Sequence, residues 1–157
     1  MLKRKIISAS ISSALFAILL GFIMPNPFNE QVVAEQNYFY SAINVINLYL
    51  MYSFPVILIY GVLTSIISDK VAELMSKTSE TKNIEIIGSG ALHIVFGLVV
   101  LPYSLGASAL FFVTDRILQK QSKKFYWLQA IKSFVLPLTV WIISLSISWF
   151  EHFINNS

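Results

Sequence analysis

Long apolar runs, interrupted by short polar stretches, are the feature that most constrains the fold of this chain. The first run extends from Ile6 to Met24 and follows three basic residues, Lys3, Arg4 and Lys5. A helix needs about 20 apolar residues to cross the hydrocarbon core of a bilayer, and this run has that length. The run ends in GFIMPNP, which offers no small-residue cleavage site, so we predict an uncleaved first membrane helix.

The composition explains why water cannot be the main solvent. Charged residues make up 12% of the chain and hydrophobic residues 56%, whereas a soluble domain has about 25% charged residues. Too few charges are present to cover a water-facing surface, but a lipid-facing surface needs none. Helices satisfy their backbone hydrogen bonds internally, so we predict an all-α, multi-pass membrane protein.

The number of segments depends on how the region after residue 84 is read. One reading has five hydrophobic segments, at about 6–24, 42–67, 84–101, 103–118 and 125–150, with a short hairpin or re-entrant pair in the middle. The alternative has four transmembrane helices, with one long kinked helix at 84–114. The five-segment reading places a reversal at LPYSLG, residues 101–106, where a proline, a serine and a glycine precede small residues.

The distribution of basic residues favours five segments. Cytoplasmic loops carry an excess of Lys and Arg, and short loops follow this bias strongly. With the N-terminus cytoplasmic and five segments, all 11 basic residues fall on or near the inner side, and the C-terminus is outside. With four segments the C-terminus is cytoplasmic and the basic residues divide almost equally between the two sides.

Helix length argues for the opposite conclusion. Helices over 84–101 and 103–118 reach roughly 27 and 24 Å, whereas the hydrocarbon core is about 30 Å thick. Snorkelling of Arg116 and local thinning of the bilayer offset this shortfall at modest cost.

His93 is the ionisable residue most deeply placed in an apolar segment. Gly90 and Gly97 share its helical face, at spacings of three and four residues, and glycines let a second helix approach closely. His93 is therefore expected to point into a helix contact. Its imidazole either holds the packing together by a hydrogen bond or relays protons or ions. The first reading is the one that we favour.

Other polar and small residues extend the candidate list. Asn44 and Asn47 lie on one face of the second segment and either line a polar path or bond to a neighbouring helix. Pro55 predicts a kink in the same segment. Gly106 and Ala109 are candidate packing residues after the predicted turn.

Two carboxylates stand next to basic residues at segment boundaries. Asp69 precedes Lys70, and Asp115 precedes Arg116. These candidate interfacial charge pairs could pair across helices. The favoured reading is a solvated face, since exposed pairs contribute only about 0–1 kcal/mol.

Several function classes have no support in the sequence. There are no cysteines, and we find no catalytic or phosphate-binding motif, so we expect no enzyme, cofactor or metal site. The basic residues do not form a nucleic-acid surface. We predict a small protein of a bacterial-type inner membrane, an accessory, structural or immunity/stress-type factor that acts through helix–helix contacts with the bilayer, another membrane protein or itself. The alternative is an oligomeric transporter or channel-like subunit with a polar path near His93, Asn44 and Asn47.

Overall fold

The computed structural model describes residues 1–28, 38–78, 84–100, 103–121 and 124–155. Every regular element in these ranges is helical. In chain order they are α1 (Leu2–Ile23), α2 (Tyr38–Val56), a π-helical turn (Ile57–Gly61), α3 (Val62–Thr78), α4 (Ile84–Val100), α5 (Ser104–Lys120), α6 (Trp127–Lys132) and α7 (Val135–Asn155).

Three of the helical stretches are long and apolar enough to cross a membrane: Leu2–Ile23, Tyr38–Leu74 and Trp127–Ile154. A shorter apolar helix covers Ile86–Leu98. The prediction of an all-helical fold with long apolar spans is confirmed. The predicted reversal lies partly outside the described residues, because Leu101 and Pro102 are not among them.

Helix α1 occupies the centre of the bundle and packs on both α2 and α5. Its buried surface consists largely of serine, alanine and glycine, small side chains that allow the backbones of neighbouring helices to approach closely. The serine hydroxyls satisfy their polarity within the helix. Ser12 donates to the carbonyl of Ser8 at 2.7 Å, and Ser13 to that of Ser10 at 3.1 Å. A helix that the sequence presents as a simple anchor is thus the core of the fold.

Helices α2 and α3 form one continuous helical stretch with a local widening at the π turn. The widening follows Pro55, which lies inside α2 and has no N–H to donate to the carbonyl one turn earlier. A π turn is one of the few recognised ways in which a helix absorbs such a local irregularity. The hydroxyl of Tyr60, within the turn, donates to the carbonyl of Phe96 on α4 at 3.0 Å and ties the two elements together.

Helices α4 and α5 are separate elements that pack against each other. The hydroxyl of Ser108 donates to the carbonyl of His93 at 2.6 Å, and that of Ser104 donates to the carbonyl of Gly97. A Cβ atom on Gly97 would lie 3.0 Å from the Cβ of Ser108, so this contact requires glycine or a shift of one helix.

Helix α7 covers α2 and part of α1, and leaves most of its surface open. Large apolar side chains on this open surface include Trp141, Ile142 and Ile143, each at least 43% exposed. Its polar contact with α2 is a hydrogen bond from Ser144 to the side-chain oxygen of Asn47, at 2.5 Å.

Candidate functional site

Five charged side chains from three helices meet at one end of the bundle. They are Arg4 and Lys5 at the start of α1, Asp69 in α3, and Asp115 and Arg116 in the second half of α5. We call this group the ion cluster. The partners lie 47 to 111 residues apart in sequence, so the cluster is a product of helix packing.

Lys5 lies at the centre of the ion cluster and is completely buried. Its ammonium nitrogen is 2.6 Å from an oxygen of Asp69, 3.2 Å from an oxygen of Asp115 and 2.5 Å from the hydroxyl of Ser65. An ammonium group has three protons to donate, and here each has an acceptor. The burial of Lys5 is possible because this full set of partners replaces water.

Asp115 is 2% exposed and is held by α1. Arg4 donates to it through two nitrogens, at 2.8 and 3.0 Å, which is the bidentate geometry that favours arginine over lysine. The hydroxyl of Ser8, one turn after Arg4, is 3.2 Å from the same carboxylate.

Asp69 is the second anion of the ion cluster. One of its oxygens accepts from Arg116 at 3.0 Å and from the hydroxyl of Ser89 at 2.9 Å, while the other accepts from Lys5. Asp69 therefore connects α3 with α1, α4 and α5. With three cations and two anions the ion cluster carries a formal charge of +1. The loss of either carboxylate would leave buried positive charge without compensation.

His93 stands next to the ion cluster and is connected to it through Ser89. Its Nδ1 is 2.8 Å from the carbonyl oxygen of Ser89, whose hydroxyl in turn donates to Asp69. A carbonyl can only accept, so Nδ1 carries the hydrogen, and in the neutral ring Nε2 is left with a lone pair. His93 is 6% exposed, and Nε2 has no partner in the described part of the chain.

A small cavity of about 50 Å³ adjoins His93. Its lining comes from the end of α2, the π turn, α3, α4 and α5, and includes the polar residues Tyr60, Thr64, Ser104 and Ser108. The rings of Phe111 and Phe112 lie beside the imidazole, with centroids 6.2 and 5.2 Å away. His93 thus points into a helix contact, as the glycine spacing predicts, and one of its ring nitrogens is left unsatisfied there.

The structure does not bring the two asparagines to His93. Asn44 is exposed, and Asn47 bonds to Ser144 on α7. Neither is among the residues that line the cavity beside His93. The polar path that would join all three residues is therefore not assembled in the described part of the chain.

The candidate packing residues differ in how closely a neighbouring helix approaches them. Gly97 makes the close contact between α4 and α5, whereas a Cβ on Gly90 would lie 3.5 Å from the ring of Phe112, an ordinary distance. Gly106 and Ala109 are exposed. Gly21, which the sequence reading leaves out, makes the tightest approach. A Cβ there would lie 2.5 Å from Cγ1 of Ile46 and 3.0 Å from the carbonyl oxygen of Ala42.

The favoured reading of the carboxylates as a solvated face is wrong for Asp115, which is buried against α1. Lys70 is exposed, and the cations that Asp69 contacts are Arg4, Lys5 and Arg116. Sequence reasoning gave Arg4 and Lys5 only a role in orientation. One signal was present. Lys5, Ser8 and Ser12 stand at spacings of three and four residues and form a polar stripe on an otherwise apolar helix.

Three helices that are long and apolar enough to cross a membrane indicate an all-helical membrane protein, and two of them, Leu2–Ile23 and Tyr38–Leu74, contribute residues to the ion cluster. No family model, curated protein or solved structure matches this chain. Within the described ranges there is no group of three His, Cys, Asp or Glu side chains that could hold a metal ion.

Proposed function

We propose that the chain crosses the membrane in five segments, with its N-terminus and the ion cluster at the cytoplasmic side. The cluster end is shared by the start of α1, the later turns of the continuous α2–α3 stretch, the second turn of α4 and the later turns of α5. This is the pattern of alternating helix directions. The bond between Ser108 and the carbonyl of His93 supports a reversal between α4 and α5. In a continuous helix, 15 residues would separate these groups by about 22 Å.

This topology places the C-terminus outside the cell membrane. A reporter enzyme that is active only in the periplasmic or extracellular space should be active when fused after Ser157, and a reporter that needs the cytoplasm should be inactive there. The opposite pair of activities would require an even number of crossings and would rule out five segments.

For the function, we propose a small accessory or structural protein of the cell membrane that acts through helix contacts. The observation that carries this proposal is that the charged side chains contact neighbouring helices. Both carboxylates of the ion cluster bind cations and hydroxyls of neighbouring helices, so the charged groups hold helices to one another and do not line a passage. Separating a buried ion pair costs free energy, so these pairs stabilise one arrangement of the helices against others.

The open apolar surface of α7 is the part of the helical bundle that another membrane protein, or a second copy, would contact. A photo-crosslinking residue at Ile142, which is 58% exposed, should give a discrete adduct in intact membranes. The same residue at Leu15, which is 44% exposed on α1, is the matched control and should give none. Equal labelling at both positions, or lipid adducts alone at Ile142, would contradict a specific contact on α7.

A second candidate function, an oligomeric transporter or channel-like subunit, is favoured by the unpartnered Nε2 of His93 beside its cavity. The two candidates differ in proteoliposomes. An accessory protein should give no proton or ion flux above that of empty vesicles. Flux in the wild type that His93→Ala abolishes, while the protein stays folded, would replace the first candidate with the second.

A further inference from the structure

A wide cleft opens beside the ion cluster, at the same end of the bundle. It has a volume of about 560 Å³ and lies between the start of α1, the end of α5 and the segment that leads into α6. This volume is within the range of about 300–1,000 Å³ that is usual for ligand sites. The cleft is a separate site from the ion cluster and from the cavity beside His93.

The charge of the cleft has a single sign. Lys3, Arg4 and Lys124 line it, and none of the described residues around it carries a carboxylate. Arg4 already donates to Asp115 through two nitrogens, so its charge is largely compensated. Lys3 and Lys124 are the lysine side chains that a ligand would meet, beside the amino group of Met1. The ammonium of Lys3 lies over the ring of Trp127, 5.7 Å from its centroid, which holds the lysine at the wall of the cleft.

The remaining wall is apolar and aromatic. Leu2 comes from α1 and Leu118 from α5, and Phe125, Tyr126 and Trp127 precede or begin α6. Tyr126 and Trp127 are 61% and 52% exposed. Aromatic residues of this kind are enriched at the level of the lipid headgroups, where one side of the ring is apolar and the other is wet.

We propose that this cleft binds the headgroup of an anionic phospholipid from the cytoplasmic leaflet. Lys3 and Lys124 contact its phosphate, and the leucine and aromatic wall contacts the glycerol and the first part of the acyl chains. Basic pockets between membrane helices on this side are suited to such headgroups. A free phosphate ion would use the lysines alone and would gain nothing from the apolar wall, which is why the lipid is the favoured ligand.

Trp127 can report on the occupant. In a background with Trp141→Phe and Trp149→Phe, it is the only tryptophan, because the chain has three. The full-length protein is reconstituted in vesicles of phosphatidylcholine that contain either brominated phosphatidylglycerol or brominated phosphatidylcholine. We expect bromine to quench Trp127 at much lower fractions of the anionic lipid than of the zwitterionic lipid.

The matched variants test whether the cleft, and not the general surface charge, is responsible. A direct ion pair between a lysine of the cleft and the lipid phosphate contributes up to about 1 kcal/mol, or about fivefold in affinity, so Lys3→Gln with Lys124→Gln should reduce the preference for the anionic lipid by up to about 30-fold. Lys70→Gln with Lys132→Gln removes the same charge from exposed positions outside the cleft and should leave the preference unchanged. Lys3→Arg with Lys124→Arg should retain it.

Three results would overturn the proposal. The first is an equal loss of preference in the two glutamine double variants, which would mean diffuse attraction. The second is the absence of any preference in the wild type. The third is full reversal of quenching by inorganic phosphate, which would mean that the cleft recognises phosphate without the lipid. None of these outcomes depends on whether α7 contacts a partner.

Discussion

Asp115→Asn should destabilise the protein by about 3–5 kcal/mol, the cost of leaving buried charges without their partner. Asparagine keeps the size of the side chain but removes the negative charge. Arg4 would lose its bidentate acceptor and Lys5 one of its two carboxylates. The formal charge of the ion cluster would rise from +1 to +2 in a site where Lys5 is completely buried. Unfolding by SDS in mixed micelles, followed by helical circular dichroism, measures the change.

Lys5→Met is the informative comparison, because it removes a positive charge from the ion cluster, whereas Asp115→Asn removes a negative charge. Asp69 would keep Arg116 and Ser89, Asp115 would keep Arg4 and Ser8, and the two carboxylates would balance the two arginines. We expect it to cost less than half as much as Asp115→Asn. Lys70→Gln, at an exposed charged residue on α3, should be indistinguishable from the wild type. A larger cost for Lys5→Met than for Asp115→Asn would contradict the view that uncompensated positive charge limits this site.

The helical, membrane-type fold could be predicted from the sequence because it depends on composition and on the length of local apolar runs. Apolar runs such as Ile6–Met24 and a low content of charged residues report directly on a lipid environment. The face shared by Gly90, His93 and Gly97 was likewise readable from helical spacing, and His93 is buried where that spacing places it.

The ion cluster could not be predicted in the same way. Arg4 and Asp115 are 111 residues apart, and nothing in the local sequence of either specifies the other. Basic residues before an apolar run usually orient a membrane protein, and carboxylates at the ends of segments are usually solvated. Neither rule predicts that these basic residues and carboxylates pair with one another inside the bundle. The small side chains of α1 let it pack closely in the centre of the bundle, and this position brings Arg4 and Lys5 to both aspartates.

The close packing of α1 leads to the second prediction, that Gly21→Ala destabilises the protein by about 1–2 kcal/mol. The added Cβ would lie 2.5 Å from Cγ1 of Ile46 and 3.0 Å from the carbonyl oxygen of Ala42, and only the first of these atoms belongs to a side chain that can move. Helix α2 would therefore have to retreat from α1. Overpacking of this kind costs about 1–3 kcal/mol. It outweighs the roughly 1 kcal/mol that alanine gains over glycine in a helix. The same SDS titration measures it.

Gly106→Ala is the matched control on α5. A Cβ there would lie 3.5 Å from the ring of Phe16, an ordinary contact, so the variant should be neutral or slightly stabilising. A further variant identifies the source of the cost. In the background of Ile46→Ala, Gly21→Ala should cost at least 1 kcal/mol less than in the wild type, since residues in contact do not behave additively. Equal costs in the two backgrounds would mean that Gly21 is not limited by its contact with Ile46, and that the carbonyl of Ala42 sets the approach of α1 and α2.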